Sequence, residues 1–283
     1  MRMISIDPKN VSISDFQDYI QSAVAPRPIA FASTIDSKGN VNLSPFSFFN
    51  VFGTNPPTLI FAPNRRIRDA TQKHTYLNIK ETHEVVIHIV DFAMSQQMSL
   101  SSCEFAKSVN EFVKVGLTPC SSIKVKPPRI VEAKAAFECI VKQVIEMGEN
   151  GGAANLIICE VVLAHFSEDI LDENGKIDPL KTDWIARSGG DWYVRANAVS
   201  MFKIPKPNQN VGIGVEAIPS EFKFHFLGNE LGRLGNITIL PNVQELAIFK
   251  NQNKDLEFSI NNVKKYLKLN DLQNAWLMLL NIR

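Results

Sequence analysis

Two stretches of the chain carry residue types in a pattern that could do chemistry. The first is Asn42-Leu43-Ser44-Pro45-Phe46-Ser47-Phe48-Phe49-Asn50. It mixes small hydroxyls, amides and aromatic rings on what reads as extended backbone. A planar heterocycle needs that mixture: flat apolar contact for its faces, donors and acceptors for its polar rim. A core strand whose Ser and Asn close turns would have the same composition, since most hydroxyls bond local backbone. The second stretch is Asn64-Arg65-Arg66-Ile67-Arg68, followed by Lys73 and Thr75. Its cations fall just after a strand and around a helix start, where guanidinium forks and free N–H groups suit a phosphate dianion. A solvated basic face is the plainer reading. Only one strand separates the two stretches. They could therefore form the ring site and the phosphate site of one nucleotide-like ligand.

The elements that must position these residues are short strands. Ile29–Ile35 is apolar and partly β-branched, and Asp36-Ser37-Lys38-Gly39-Asn40 has turn chemistry. Val41–Phe52 continues extended, with Pro45 unable to donate to a ladder. Thr58–Ala62 and Val85–Val90 read as further strands. Helices are expected over 69–80, 92–100 and 104–113. Ser14 and Gln17 have capping-box spacing in a leader helix that Pro26-Arg27-Pro28 ends. Ala135–Met147 and Asn155–Phe166 form a second β section, and Asp172-Glu173-Asn174-Gly175-Lys176 is a reverse-turn signal. No regular βαβα alternation appears, so a doubly wound parallel sheet is disfavoured in favour of a barrel with helices at its edges.

Composition narrows the function classes. The 283 residues carry a net charge of +1, which gives no overall basic surface for a nucleic-acid backbone. The four cysteines match no CxxC spacing and read as small buried groups in a reducing compartment. The start of the chain lacks the apolar run of a signal peptide, and no stretch approaches a membrane span. A cytoplasmic protein with no membrane or nucleic-acid partner is expected. No phosphate loop, GxGxxG after a strand, GxSxG or HExxH occurs, and Gly212-Ile213-Gly214 reads as a loop. Pro205-Lys206-Pro207-Asn208-Gln209-Asn210 marks a boundary. It divides a domain at 1–207 from an extension at 208–283. Helices are expected there over 243–250, 256–267 and 272–282, in a tail too small for a secure core alone.

An ordered set of motifs resembles the flavin reductase-like family with an FMN-binding split barrel. It comprises Pro26-Arg27-Pro28-Ile29-Ala30, Thr34, Gly39 to Phe49, Pro56-Pro57, Asn64-Arg65-Arg66, Lys73-His74-Thr75 and Asn78-Ile79. It continues through Cys159-Glu160-Val161-Val162 with His165, Asp172 to Asp178, and Arg187-Ser188-Gly189-Gly190-Asp191-Trp192-Tyr193. The resemblance spans residues 14–204. His74 and Cys159 depart from the family pattern, which has an acidic residue and a glycine there. The resemblance implies a mainly β split barrel with peripheral helices, forming a homodimer with FMN near the subunit interface. It implies an NAD(P)H-dependent flavin oxidoreductase, with NADH or NADPH as co-substrate and a small-molecule or protein electron acceptor. An FMN-carrying electron-transfer or storage protein would use the same site. By position, Thr34, Asn42, Ser44, Pro45, Phe46 and Ser47 would line the isoalloxazine. Asn64, Arg65, Lys73 and Thr75 would hold the ribityl phosphate. Ser47 and His165 are the candidate catalytic residues, and Arg187 and Tyr193 flank a glycine loop that could lie beside the nicotinamide.

Overall fold

The computed structural model describes residues 2–204 and 212–282, in two compact units, Met1–Met201 and Phe202–Arg283. The boundary expected at 207/208 lies outside the described residues.

The first unit begins with α1 (Ile13–Ala23), whose first turn is closed by the Ser12 hydroxyl accepting from the Asp15 N–H at 3.0 Å. The cap therefore falls two residues before the expected Ser14. Strands β1 (Arg27–Pro28) and β2 (Ala30–Ile35) follow. The Asp36 carboxylate accepts from the N–H groups of Lys38 and Asn40, and Gly39 takes φ +90. That turn reverses the chain into β3 (Val41–Phe46), which leads to β4 (Phe49–Thr54) and β5 (Pro57–Phe61). The expected single extended run over 41–52 is thus two strands broken at Ser47-Phe48. Helix α2 (His74–Thr82) is shorter than expected at its start. There the Asp69 carboxylate binds the Thr71 N–H and hydroxyl, a local turn that competes with helix.

Next come β6 (Glu84–Ile89), α3 (Ser95–Leu100) and α4 (Glu111–Val115), the last capped by Asn110 and much shorter than the expected 104–113. Strands β7 (Pro119–Cys120), β8 (Arg129–Ile130), β9 (Ala135–Glu146), β10 (Asn155–Phe166), β11 (Trp184–Arg187) and β12 (Tyr193–Ala196) complete the unit. The Asp172 turn forms as expected, with Gly175 at φ +72 and the Asp172 carboxylate accepting from Asn174 and Lys176.

Seven strands pair antiparallel in the order β3-β2-β6-β9-β10-β5-β4. The two edges, β3 and β4, are consecutive in the chain and separated only by Ser47 and Phe48. Laid flat, six strand spacings would hold those edges about 29 Å apart. The three peptide links from Phe46 to Phe49 reach about 11 Å at most. The sheet must therefore curl until its edges meet, which makes the split barrel. Alternation along β2 then sorts its side chains. Ala30 and Ala32 join the cluster with Phe61, Ile79, Ile87 and Ile157, whereas Phe31 joins Leu43, Met94, Met98 and Phe112. Of the four thiols, Cys139 and Cys159 are buried as expected; Cys103 is exposed and Cys120 partly so.

The second unit contains α5 (Ser220–Lys223), α6 (Gly228–Leu234), α7 (Val243–Gln252), α8 (Ile260–Lys268) and α9 (Leu272–Leu280). The helix expected from residue 256 starts at Ile260. Contrary to the expectation of a tail without its own core, Trp276 is fully buried among Leu234, Val263, Leu267 and Met278, and its indole N–H donates to the Leu234 carbonyl at 2.8 Å. The backbone of Ile213 and Gly214 is tied to Ile237 and Gly235, in a loop as expected. Among the described residues, no helix is long and apolar enough to cross a membrane.

His88, fully buried on β6, links the barrel to the β8 arm. Its Nε2 accepts from the Ile130 N–H and its Nδ1 lies 2.9 Å from the Phe31 carbonyl, which fixes the neutral form with the proton on Nδ1. Burial pushes its pKa down from 6.5 to about 4. The folded pKa lies below the unfolded one, so this stabilisation is complete above 6.5 and is lost as pH falls from 6.5 towards 4. From pH 7 to pH 5, urea titration should show a loss of about 2 kcal/mol attributable to His88. The His88→Asn variant, less stable at pH 7, should lack that increment of acid sensitivity.

Candidate functional site

The junction of the two sheet edges is where the chemistry-bearing stretches meet. On the open edge of β3 the Leu43 N–H donates to the Glu111 carboxylate at 3.2 Å, so it faces away from β2. By alternation Pro45 faces the same edge, where its missing N–H costs no ladder bond. From there Ser44, Pro45, Phe46, Ser47 and Phe48 form one wall of a cavity of about 430 Å³. The opposite wall is Asn64 to Arg68 with Lys73 and Gly152; Ser102 and Glu104 close one side, and Gln17 and Gln21, one turn apart on α1, another.

The basic wall is built against the loop between β9 and β10. The Arg65 N–H donates to the Ala153 carbonyl, and the Gly152 N–H donates to the Arg65 carbonyl. Gly151 lies so close that a Cβ there would sit 2.3 Å from the Ile67 carbonyl oxygen, so only glycine permits the approach. The cations are not equivalent. Arg65 donates to the Gly148 and Ala70 carbonyls at 3.3 and 3.2 Å and lies 3.5 Å from Glu146. It braces the wall. Arg66 donates to Glu104, the Thr71 hydroxyl and the Gln72 carbonyl, and Arg68 to Asp69 and Glu104. Lys73 is half-buried and makes no hydrogen bond or close ion pair among the described residues; burial and the charges of Arg66 and Arg68 lower its pKa against the opposing pull of Glu104 and Asp69. Asn64 donates to the Gly152 carbonyl at 3.2 Å while its buried Oδ1 has no donor.

Three expected ligand residues have other partners. The Asn42 amide donates to the Thr75 hydroxyl at 2.9 Å, and the Asn78 amide to the Thr34 hydroxyl at 3.2 Å. All four side chains are buried, and Thr75 and Asn78 share one face of α2. They dock α2 on β2 and β3. Thr34 and Thr75 do not line the cavity, and Asn42 reaches only a small annex of about 30 Å³ beside it. Phe46 turns partly inward, with its ring 5.6 Å from that of Phe61.

His165 is not brought to the cavity. Its Nε2 lies 2.7 Å from the fully buried Glu138 carboxylate, which also accepts from the Ile123 and Lys124 N–H groups. Burial alone would raise the Glu138 pKa, but these hydrogen bonds bring it below the usual value. The pair anchors the segment before β8. Arg187 and Tyr193 also lie outside the cavity lining, bonded to each other at 2.6 Å. Their hairpin braces α1: Arg27 donates to the Ser188 carbonyl, and Gly189 lies where a Cβ would strike Ser22. The sequence reading missed Gln17, Gln21, Ser102, Glu104 and Gly152. The four-residue glutamine spacing was its only available signal, and it is common on exposed helices.

A family model described as a flavin reductase like domain matches residues 22–181. An uncharacterized protein of Aquifex aeolicus is 39% identical over 181 residues, covering 64% of this chain and 90% of its own. Among solved structures, nitrilotriacetate monooxygenase component B from Bacillus cereus superposes with a TM-score of 0.67 at 27% identity, over 72% of this chain and all of the other. The 2-nitrobenzoate 2-nitroreductase NbaA of Pseudomonas fluorescens gives 0.63 at 26% identity, over 72% and 97%.

If Thr75 docks α2, Thr75→Val leaves the Asn42 amide without its acceptor. Denaturant titration should then show a loss of about 1–3 kcal/mol. The loss should be the same with and without added flavin.

Proposed function

Because the chain belongs to the flavin reductase-like family, we propose that it is an FMN-binding flavoprotein and an oxidoreductase that takes reducing equivalents from NADH or NADPH. The observation that carries this reading is the cavity at the closure of the barrel. A corner of serines and phenylalanines faces an unpaired ammonium and an orphaned buried amide oxygen across about 430 Å³, a volume suited to a cofactor.

The donor set fits FMN. Lys73 is the charge for its phosphate, and Asn64 Oδ1 is the acceptor for a ribityl hydroxyl. The Ser44 and Ser47 hydroxyls, which have no other partner among the described residues, serve the polar rim of the ring; Pro45, Phe46 and Phe48 give it apolar contact. When bound, the flavin supplies the redox chemistry, accepting a hydride from the nicotinamide. The protein's part is to orient the ring, exclude water and offset negative charge at its rim, for which Ser47 is the candidate donor. No acid–base pair is needed, and His165, engaged by Glu138, has no role in this proposal. Arg65 serves as a brace rather than as the phosphate ligand.

We place the protein in the cytoplasm, as a homodimer, with a small molecule or a protein as electron acceptor. The exposed Val51 and Phe52 on the edge strand β4 support self-association.

Anaerobic mixing of FMN-loaded protein with NADH and then NADPH should bleach the flavin absorbance within seconds with at least one of them. Bound flavin that neither nucleotide bleaches would make the protein a carrier, and absence of any flavin binding would end the proposal. Lys73→Gln should weaken FMN about tenfold or more in fluorescence titration, the value of one charge-assisted bond, and leave riboflavin nearly unchanged. Arg65→Ala should lower the melting temperature and weaken both ligands alike.

A further inference from the structure

The cavity wall already holds an anion of its own. Glu104 lies on the segment between α3 and α4, and its two carboxylate oxygens are divided between two cations. Oε1 is 2.9 Å from Arg66 Nε, and Oε2 is 3.1 Å from Arg68 Nη2. Both arginines and Glu104 line the cavity, with Lys73 beside them. Two oxygens of one anion bridging two guanidinium groups is the way a phosphate would engage the same pair. The remaining bonds of Arg66 go to the Thr71 hydroxyl and the Gln72 carbonyl, and those of Arg68 to Asp69. These hold Arg66 independently of Glu104, whereas Arg68, largely exposed, keeps only its neighbour Asp69. The Glu104 side chain is about half exposed, so it is free to leave them for solvent.

We propose that Glu104 is a specificity-determining residue of this cavity, an internal counter-anion that an incoming phosphate must displace from Arg66 and Arg68. The inference rests on the FMN reading for the identity of the ligand, but not for the anion site itself. Arg65, Arg66, Arg68 and Lys73 bring four positive charges to the wall, and Glu146, Asp69 and Glu104, paired with the arginines, bring three negative ones. With Glu104 in place the wall has an excess of one positive charge and holds a weak, exchangeable phosphate. Without it the excess is two. A neutral ligand has no charge with which to displace Glu104, so the residue changes the affinity of phosphorylated ligands and leaves their dephosphorylated counterparts alone.

Glu104→Gln keeps the shape of the side chain and removes its charge. Fluorescence titration of full-length protein should show FMN bound about tenfold more tightly by the variant. Riboflavin affinity should be unchanged, and the gain should shrink as salt is raised from 50 to 500 mM. Calorimetric titration with inorganic phosphate should show the same tightening in the absence of flavin. Glu104→Ala should move both ligands in the same direction. Weaker FMN binding in Glu104→Gln would mean that the carboxylate props the arginines in place, and would overturn the proposal. So would equal gains for FMN and riboflavin, or no change. If the wild type binds neither flavin while phosphate binding tightens in the variant, the FMN reading fails and this one stands. If FMN binds the wild type and the variant is no tighter, only this one fails.

Discussion

Closure of the seven-stranded sheet by a two-residue corner is the constraint from which the rest of the first unit follows. β3 and β4 are neighbours in sequence and opposite edges in the sheet, so Ser47 and Phe48 must span the seam. A seam of this kind leaves backbone and side chains that no ladder satisfies, next to an interior already filled by Ala30, Phe61 and Ile157. A cavity at such a place is a product of topology. Nearby side chains determine what enters it: here hydroxyls and rings on one wall, and a guanidinium-rich segment on the other.

That second wall shows how little a count of cations says about a site. The arginines of the Asn64–Arg68 segment look interchangeable in sequence, yet each has a different task once the chain is folded. Arg65 ties together the carbonyls of Gly148 and Ala70 and the Glu146 carboxylate, Arg66 and Arg68 share a carboxylate, and Lys73, the least conspicuous in the string, makes no close ion pair. Guanidinium geometry accounts for the division. Five N–H groups in a fixed fork can satisfy several carbonyls at once, which suits a brace, whereas an ammonium on a flexible stem follows a ligand.

The strands were legible because their signals are local. β-branched runs, the Asp36 and Asp172 turns and the long apolar stretch of β10 each declare themselves within a few residues. The two segments singled out in the sequence do face each other across the cavity. What the sequence could not show was partnership at long range. Asn42 and Thr75 look like ligand groups until the fold joins them to each other, and His165 until Glu138, 27 positions away, takes its ring nitrogen. Helix lengths failed for a related reason: Asp69 and Asn110 form side-chain turns that override a loose apolar period. The second unit was underestimated because the worth of one large aromatic depends on what surrounds it, and Trp276 is enclosed on all sides.

The placement of that indole also makes the extension visible by itself. The chain has three tryptophans. Trp192 is largely open to solvent and Trp184 partly so, whereas Trp276 is dry and hydrogen-bonded to a carbonyl. Its emission is therefore the blue component of the intrinsic spectrum. Loss of that blue component on heating reports the opening of the C-terminal helices.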